Sequence, residues 1–156
     1  MPDQAQKILT APIGKLPELA GAPFGPSAWH TITQEDIRLY AEVSGDHNPI
    51  HVDPEAAKKS PFGTVVAHGY LTLSRVVPLM KEIFKITEVG SGINYGLDRL
   101  RFPAPVPANS RVRLLGEISE VREIDGGYQV HISLTWELEG SRKPAAIANQ
   151  VLRFYR

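Results

Sequence analysis

Asp46 and His51 pair a carboxylate with an imidazole five positions apart. These are two of the side chains best suited to moving protons near neutral pH. Fully extended, five residues span roughly 17 Å, too far for both to hold one water. Asn48-Pro49 stands between them. Proline fixes its own φ and keeps the residue before it out of the helical region, so the chain bends there. A bend could aim both side chains at a shared water. His68-Gly69 supplies a second piece, at the head of an apolar segment. The first N–H groups of a helix have no internal partners and carry the positive end of its dipole. Gly69 has no side chain to obstruct approach. A carbonyl oxygen docked there would be polarised toward an oxyanion, and one such donor is worth on the order of 10² to 10³ in rate.

Blander readings compete. Asp46 could be a turn cap and His51 a surface histidine. Gly69 could merely let the chain turn into the helix while His68 packs. Asp46, His47, His51, Asp53 and His68 are all potential metal ligands. They lack a recognisable ligand spacing such as His-Glu-x-x-His, and the intervening Asn and Pro suit a turn better, so no metal site is expected. Ser74 is a poor nucleophile, inside a buried helix with no paired base in sequence. Asn94, Arg99 and Arg101 project from a strand near the proposed site, where the arginines could meet a phosphate. The catalytic reading gains from its setting, since both motifs sit at the ends of well-marked helices.

Those helices can be placed from local signals. Thr33 can cap a helix with Asp36 in its first turn. Ile32 and Ile37 stand where a hydrophobic staple puts them. Ile37, Tyr40, Ala41 and Ser44 form an inward stripe at helical spacing, and Gly45 follows as a C-cap. This helix hands the chain directly to Asp46. Asp53-Pro54-Glu55 reads as an N-cap, a proline at the first helical position and an acid in the first turn, giving a brief helix over 55–59. Ser60-Pro61-Phe62-Gly63 ends it as a turn. Residues 70–85 are apolar nearly all round, the mark of a buried helix, and Pro78 should bend it or split it.

After Gly90 the period changes to two. Ile93, Tyr95 and Leu97 share a face, while Leu100 and Phe102 are out of phase with them, so a bulge is expected near Asp98 and Arg99. The proline-rich run 103–107 cannot be a central strand. Strands follow over 111–121, 128–138 and 145–155, with a hairpin signal at Asp125-Gly126-Gly127. The expected fold is α+β, a single hot-dog domain in which an antiparallel sheet wraps a long central helix. Residues 1–28 read as an N-terminal arm lying on the body or on a partner, with the domain over 29–156. The sheet's free edges favour pairing of two subunits.

Composition narrows the partners. The chain has 156 residues, zero formal net charge and no cysteine. Zero charge with no basic run gives no support for a nucleic-acid or membrane-surface partner. The lack of cysteine removes disulfides, thiolate catalysis and Cys-ligated zinc. No run reaches the ~18 consecutive apolar residues of a membrane helix. There is no basic start followed by an apolar run, and the default location is the cytosol.

The residues 46–51, Asp-His-Asn-Pro-Ile-His, followed by Ala67-His68-Gly69, resemble the hydratase-2 signature of the MaoC-like (R)-specific enoyl-CoA hydratases. Ile93-Asn94-Tyr95-Gly96, with Arg101 and the run after it, looks like the subgroup containing nodulation protein N and the mycobacterial single-hot-dog 3-hydroxyacyl-thioester dehydratases. The likeness covers residues 29–156. It implies a homodimer acting on an acyl-CoA or an acyl carrier protein thioester, with no metal or redox cofactor required. It places catalysis on Asp46 and His51 and the carbonyl-binding N–H on Gly69. Asn48, His68, Asn94, Tyr95 and Arg101 are the expected substrate-binding set, with Asn48 orienting the loop and its water. A hot-dog thioesterase and a non-catalytic acyl-CoA binder are the alternatives.

Overall fold

The computed structural model describes residues 6–156. In chain order these form β1 (Leu9–Pro12), a 3₁₀ segment (Ile13–Leu19), β2 (Pro23–Phe24), β3 (His30–Ile32) and α1 (Gln34–Ser44). Three short helices follow, α2 (Pro49–Val52), α3 (Pro54–Lys58) and α4 (Gly69–Ser74), then α5 (Val76–Ile83) and β4 (Phe84–Thr87). Four long strands complete the chain: β5 (Ser91–Arg101), β6 (Ser110–Ile124), β7 (Gly127–Leu138) and β8 (Ala146–Tyr155). No helix among the described residues is long and apolar enough to cross a membrane.

The local signals around the dyad are realised. Thr33 Oγ1 accepts from the Asp36 N–H at 3.0 Å, and the Asp36 carboxylate accepts from the Thr33 N–H at 2.9 Å. Gly45 takes the left-handed conformation that ends α1, φ 75°. Ile32, Ile37 and Ala41 are fully buried. Ser44, expected on the inward stripe, is exposed instead, and its hydroxyl donates back to the Tyr40 carbonyl at 2.7 Å. Replacing Thr33 by Ala is expected to cost about 1 kcal/mol. For a chain of this size that lowers Tm by about 2 to 4 °C, measurable by calorimetry. An unchanged Tm would show that the cap contributes nothing.

The Asn48-Pro49 bend is a single helical turn rather than an open turn. Pro49 occupies the first position of α2, where a missing N–H costs nothing, and the Asn48 side chain accepts from the Ile50 N–H at 3.2 Å. Asp53 then caps α3 by accepting from Glu55 N–H at 2.9 Å and Ala56 N–H at 3.1 Å.

The long central helix expected over 70–85 is split, as Pro78 required, into two helices that meet at Arg75. Pro78 has no N–H to give the carbonyl of Ser74, and its ring would strike that carbonyl in a continuous helix. Starting a new helix at Val76 places Pro78 in a first turn, where no N–H is needed. The guanidinium of Arg75 pairs with Asp36 at 2.7 Å, fastening the break to the cap of α1. The helix also ends earlier than expected. Phe84 and Lys85 belong to β4, which pairs in parallel with β1.

The main sheet has six strands in the order β2-β6-β7-β8-β5, with β3 also on β6. Along β7, Tyr128, Val130, Ile132, Leu134, Trp136 and Leu138 are buried and alternate with outward residues. They share one core with Leu79 and Ile83 of α5. The segment expected as an arm is, over its described residues, part of this same core. Leu16 is fully buried, Phe24 nearly so, and β2 pairs with β6. Residues 1–5 of that arm lie outside the described residues. β5 has the expected register shift between Leu97 and Arg99, and a second one between Asn94 and Gly96. It lies almost wholly exposed, with Ile93, Tyr95 and Leu97 uncovered and its outer edge unpaired among the described residues.

Candidate active site

The turn from α1 into α2 delivers Asp46, and α2 itself carries His51. The Asp46 N–H donates to Ser44 Oγ at 3.2 Å, and its Oδ1 accepts from the Asn48 N–H at 3.2 Å. His51 is buried, with Nδ1 2.6 Å from the Val66 carbonyl oxygen. A carbonyl can only accept, so Nδ1 carries the hydrogen, and in the neutral ring the lone pair is then on Nε2. Asp46, His51 and His68 each offer a carboxylate oxygen or ring nitrogen within 4.8 Å of the others. The acid and the base therefore converge.

His68 draws this cluster together. Its Nε2–H donates to the Asp46 carbonyl at 2.9 Å, and its ring stacks on His51 with centroids 3.8 Å apart. Nδ1 is buried without a hydrogen-bond partner among the described residues. Burial holds the His68 pKa below the ordinary imidazole range; the hydrogen bond to Asp46 opposes this, and neighbouring His51 adds to it. The unfolded chain therefore binds a proton at His68 before the folded one does. Stability from this residue is complete above the ordinary histidine pKa of about 6.5 and is lost as pH falls through the lower folded value. A His68→Phe variant keeps the ring and removes the titration. Denaturant unfolding between neutral and mildly acid pH should then show a smaller loss of stability than in the parent. Parallel losses in both would mean that another group titrates.

Beside the cluster lies a cleft of about 380 Å³, lined by His51, Gly69, Thr72 and the apolar side chains of Ile50, Phe62, Val66, Phe102 and Val106. Gly69 opens α4, and its N–H has no acceptor among the described residues. α4 has only six residues, so it offers a free amide rather than a large dipole. Close approach favours glycine here. A Cβ would stand 2.8 Å from the ring of Phe102, which lies over the backbone. Phe62, Phe102 and the run 103–107 were not assigned to the site from sequence. The run is docked by the Ala67 N–H donating to the Val106 carbonyl at 2.8 Å. Its proline pattern marked it as outside the sheet but held no signal for where it would pack.

The remaining expected residues are placed elsewhere. Asn48 serves as the cap of α2. Asn94 Oδ1 accepts from Gln150 Nε2 at 3.0 Å. The Tyr95 ring lies 3.4 Å from the guanidinium carbon of Arg153, and Arg101 Nη1 donates to the Leu100 carbonyl at 2.7 Å. None of Asn94, Tyr95 or Arg101 lines the cleft within this chain.

A curled antiparallel sheet around a helix pair defines a hot-dog fold, and a carboxylate and an imidazole stand together at the head of its helices. The chain belongs to the MaoC-like dehydratase family, whose MaoC like domain matches residues 15–137. It is accordingly a hydro-lyase. The chain is 45% identical over 143 residues to 3-hydroxyacyl-thioester dehydratase Z of Mycobacterium tuberculosis, covering 91% of this chain and 95% of that protein. It is 41% identical over 142 residues to nodulation protein N of Rhizobium leguminosarum bv. viciae, covering 89% and 88%. Among solved structures, the R-hydratase PhaJ1 from Pseudomonas aeruginosa superposes with a TM-score of 0.74 at 23% identity, over 99% of this chain and 90% of that one. The (R)-hydratase from A. caviae superposes with a TM-score of 0.70 at 22% identity, over 85% and 94%. These structural likenesses bear on the fold.

Proposed function

We propose that the protein catalyses reversible hydration of trans-2-enoyl thioesters to (R)-3-hydroxyacyl thioesters, on coenzyme A or an acyl carrier protein. The observation that carries this reading is the approach of Asp46 and His51 to within 4.8 Å beside a cleft that also presents a free amide. The thioester oxygen rests on the Gly69 N–H, which stabilises the enolate-like charge. A water sits between the dyad. His51 Nε2, with its free lone pair, removes a proton as the oxygen adds to the β-carbon. Protonated Asp46 delivers a proton to the α-carbon, and a proton passing from His51 back to Asp46 resets the pair. The Mycobacterium tuberculosis relative, a 3-hydroxyacyl-thioester dehydratase, supports the substrate class.

The apolar residues uncovered on β5 and its unpaired edge support a homodimer in which a second copy covers that strand. Asn94, Tyr95 and Arg101 would then reach substrate only across the subunit interface. The test of the whole reading is incubation with enoyl-CoAs of increasing length, followed by chiral analysis of the product and assay of free thiol. Formation of the (R)-3-hydroxyacyl product without thiol release is expected. Thiol release would make it a thioesterase, and binding without loss of the enoyl absorbance would make it a carrier or binder.

A further inference from the structure

A second and larger cavity, about 620 Å³, lies on the other face of the sheet. Arg113 stands between the buried Val112 and Leu114, and Glu137 between the buried Trp136 and Leu138, so the pleat turns both away from the core and into this cavity. Trp29 lies against it, with the Arg113 guanidinium 4.6 Å from its ring centroid. Both carboxylates in the lining are engaged. Glu137 accepts from Arg113 at 2.6 Å, and Glu139 from the neighbouring Arg111 at 2.6 Å. Arg142 and Lys143, on the turn between β7 and β8, are exposed and have no carboxylate partner among the described residues. The cavity thus joins an aromatic ring, a cation held over it and two uncommitted cations at the rim.

The position relative to the dyad matters as much as the composition. Pro144 lines this cavity, and the next residue, Ala145, lines the catalytic cleft. One turn of chain separates the two spaces at one end of the sheet.

We propose that this cavity takes the 3′-phosphorylated adenine nucleotide of coenzyme A, with the pantetheine arm passing over the β7–β8 turn to the cleft. The inference rests on the thioester reading above. An adenine ring finds a stacking surface in Trp29 and Arg113, and the phosphates find Arg142 and Lys143. An acyl carrier protein has no nucleotide to place against Trp29 and the rim cations, so the site selects coenzyme A as carrier.

The test uses the full chain and the double variant Arg142→Ala/Lys143→Ala, two exposed positions away from the proton-transfer pair. KM for crotonyl-CoA should rise at least about tenfold in the variant, the size of one lost charge-assisted contact. KM for crotonyl-pantetheine, which lacks the nucleotide, should not change. Adenosine 3′,5′-bisphosphate should bind the parent in calorimetry and the variant more weakly by a similar factor. Normal hydration of crotonyl-CoA with no bisphosphate binding, or equal KM shifts for both thioesters, would overturn the site while leaving the proposed reaction standing. A raised KM only for the carrier-protein thioester would overturn it in favour of a protein-docking surface. Bisphosphate binding with no hydration of either thioester would instead count against the proposed reaction.

Discussion

Asp46→Asn should lower kcat for hydration of crotonyl-CoA by about 10²- to 10⁴-fold, the range that a positioned acid or base supplies. The fold should be untouched. Asparagine keeps the oxygen that accepts from the Asn48 N–H, and the other two tethers of this residue, to Ser44 and His68, run through its main chain. What is lost is the exchangeable proton. His51→Ala is expected to lose as much activity, but it also removes the ring stacked on His68 and strips the Val66 carbonyl of its donor. Its rate must therefore be read beside its Tm, whereas the Asp46 variant isolates the chemistry. Turnover within a few-fold of the parent in Asp46→Asn, with the protein folded, would remove this carboxylate from the mechanism.

The second large effect belongs to the amide. Gly69→Pro deletes the donor and nothing else in the hydrogen-bond pattern, because that N–H opens α4 and has no internal acceptor. The backbone is already suited to it. His68 has φ −58° and ψ 139°, the extended conformation that a following proline demands, and the first helical position tolerates proline well. The obstacle is Phe102, whose ring sits 2.8 Å from where a Cβ would be. Removing it resolves the clash, so the comparison is Gly69→Pro/Phe102→Ala against Gly69→Ala/Phe102→Ala. The first pair should fall below the second by about 10²- to 10³-fold in kcat, the cost of one oxyanion donor. KM should move little, since the interaction strengthens as charge develops. Equal rates in the two would mean that the thioester oxygen is held elsewhere.

Much of this protein was legible without coordinates because its signals are local. The Thr33 cap, the Gly45 stop and the Asp53-Pro54 start each depend on neighbours within four residues, and each stands where the spacing put it. The unbroken alternation of β7 needs only the two-residue period of a strand. The acid and base could be nominated for the same reason, as residue types flanking a proline. The break in the apolar stretch 70–85 was legible for the same reason, since Pro78 lacks an N–H; that the new helix starts at Val76 and that the chain turns to strand at Phe84 was not.

What tertiary structure alone decided involves partners far apart along the chain. His51 is oriented by a carbonyl 15 residues away, and His68 reaches back 22 residues to hold Asp46. Phe102 is laid over Gly69 from just past the end of β5, while Asn94 and Tyr95, further back on that strand, stay outside the cleft. The segment before residue 29 shows no sustained period; apolar residues such as Leu16 marked it as lying on the body or on a partner, but not that Leu16 and Phe24 would enter the core. Periodicity and capping are properties of a few adjacent peptide units. Which carbonyl a ring nitrogen finds, and which ring covers a glycine, follow from how sheet and helices close on one another.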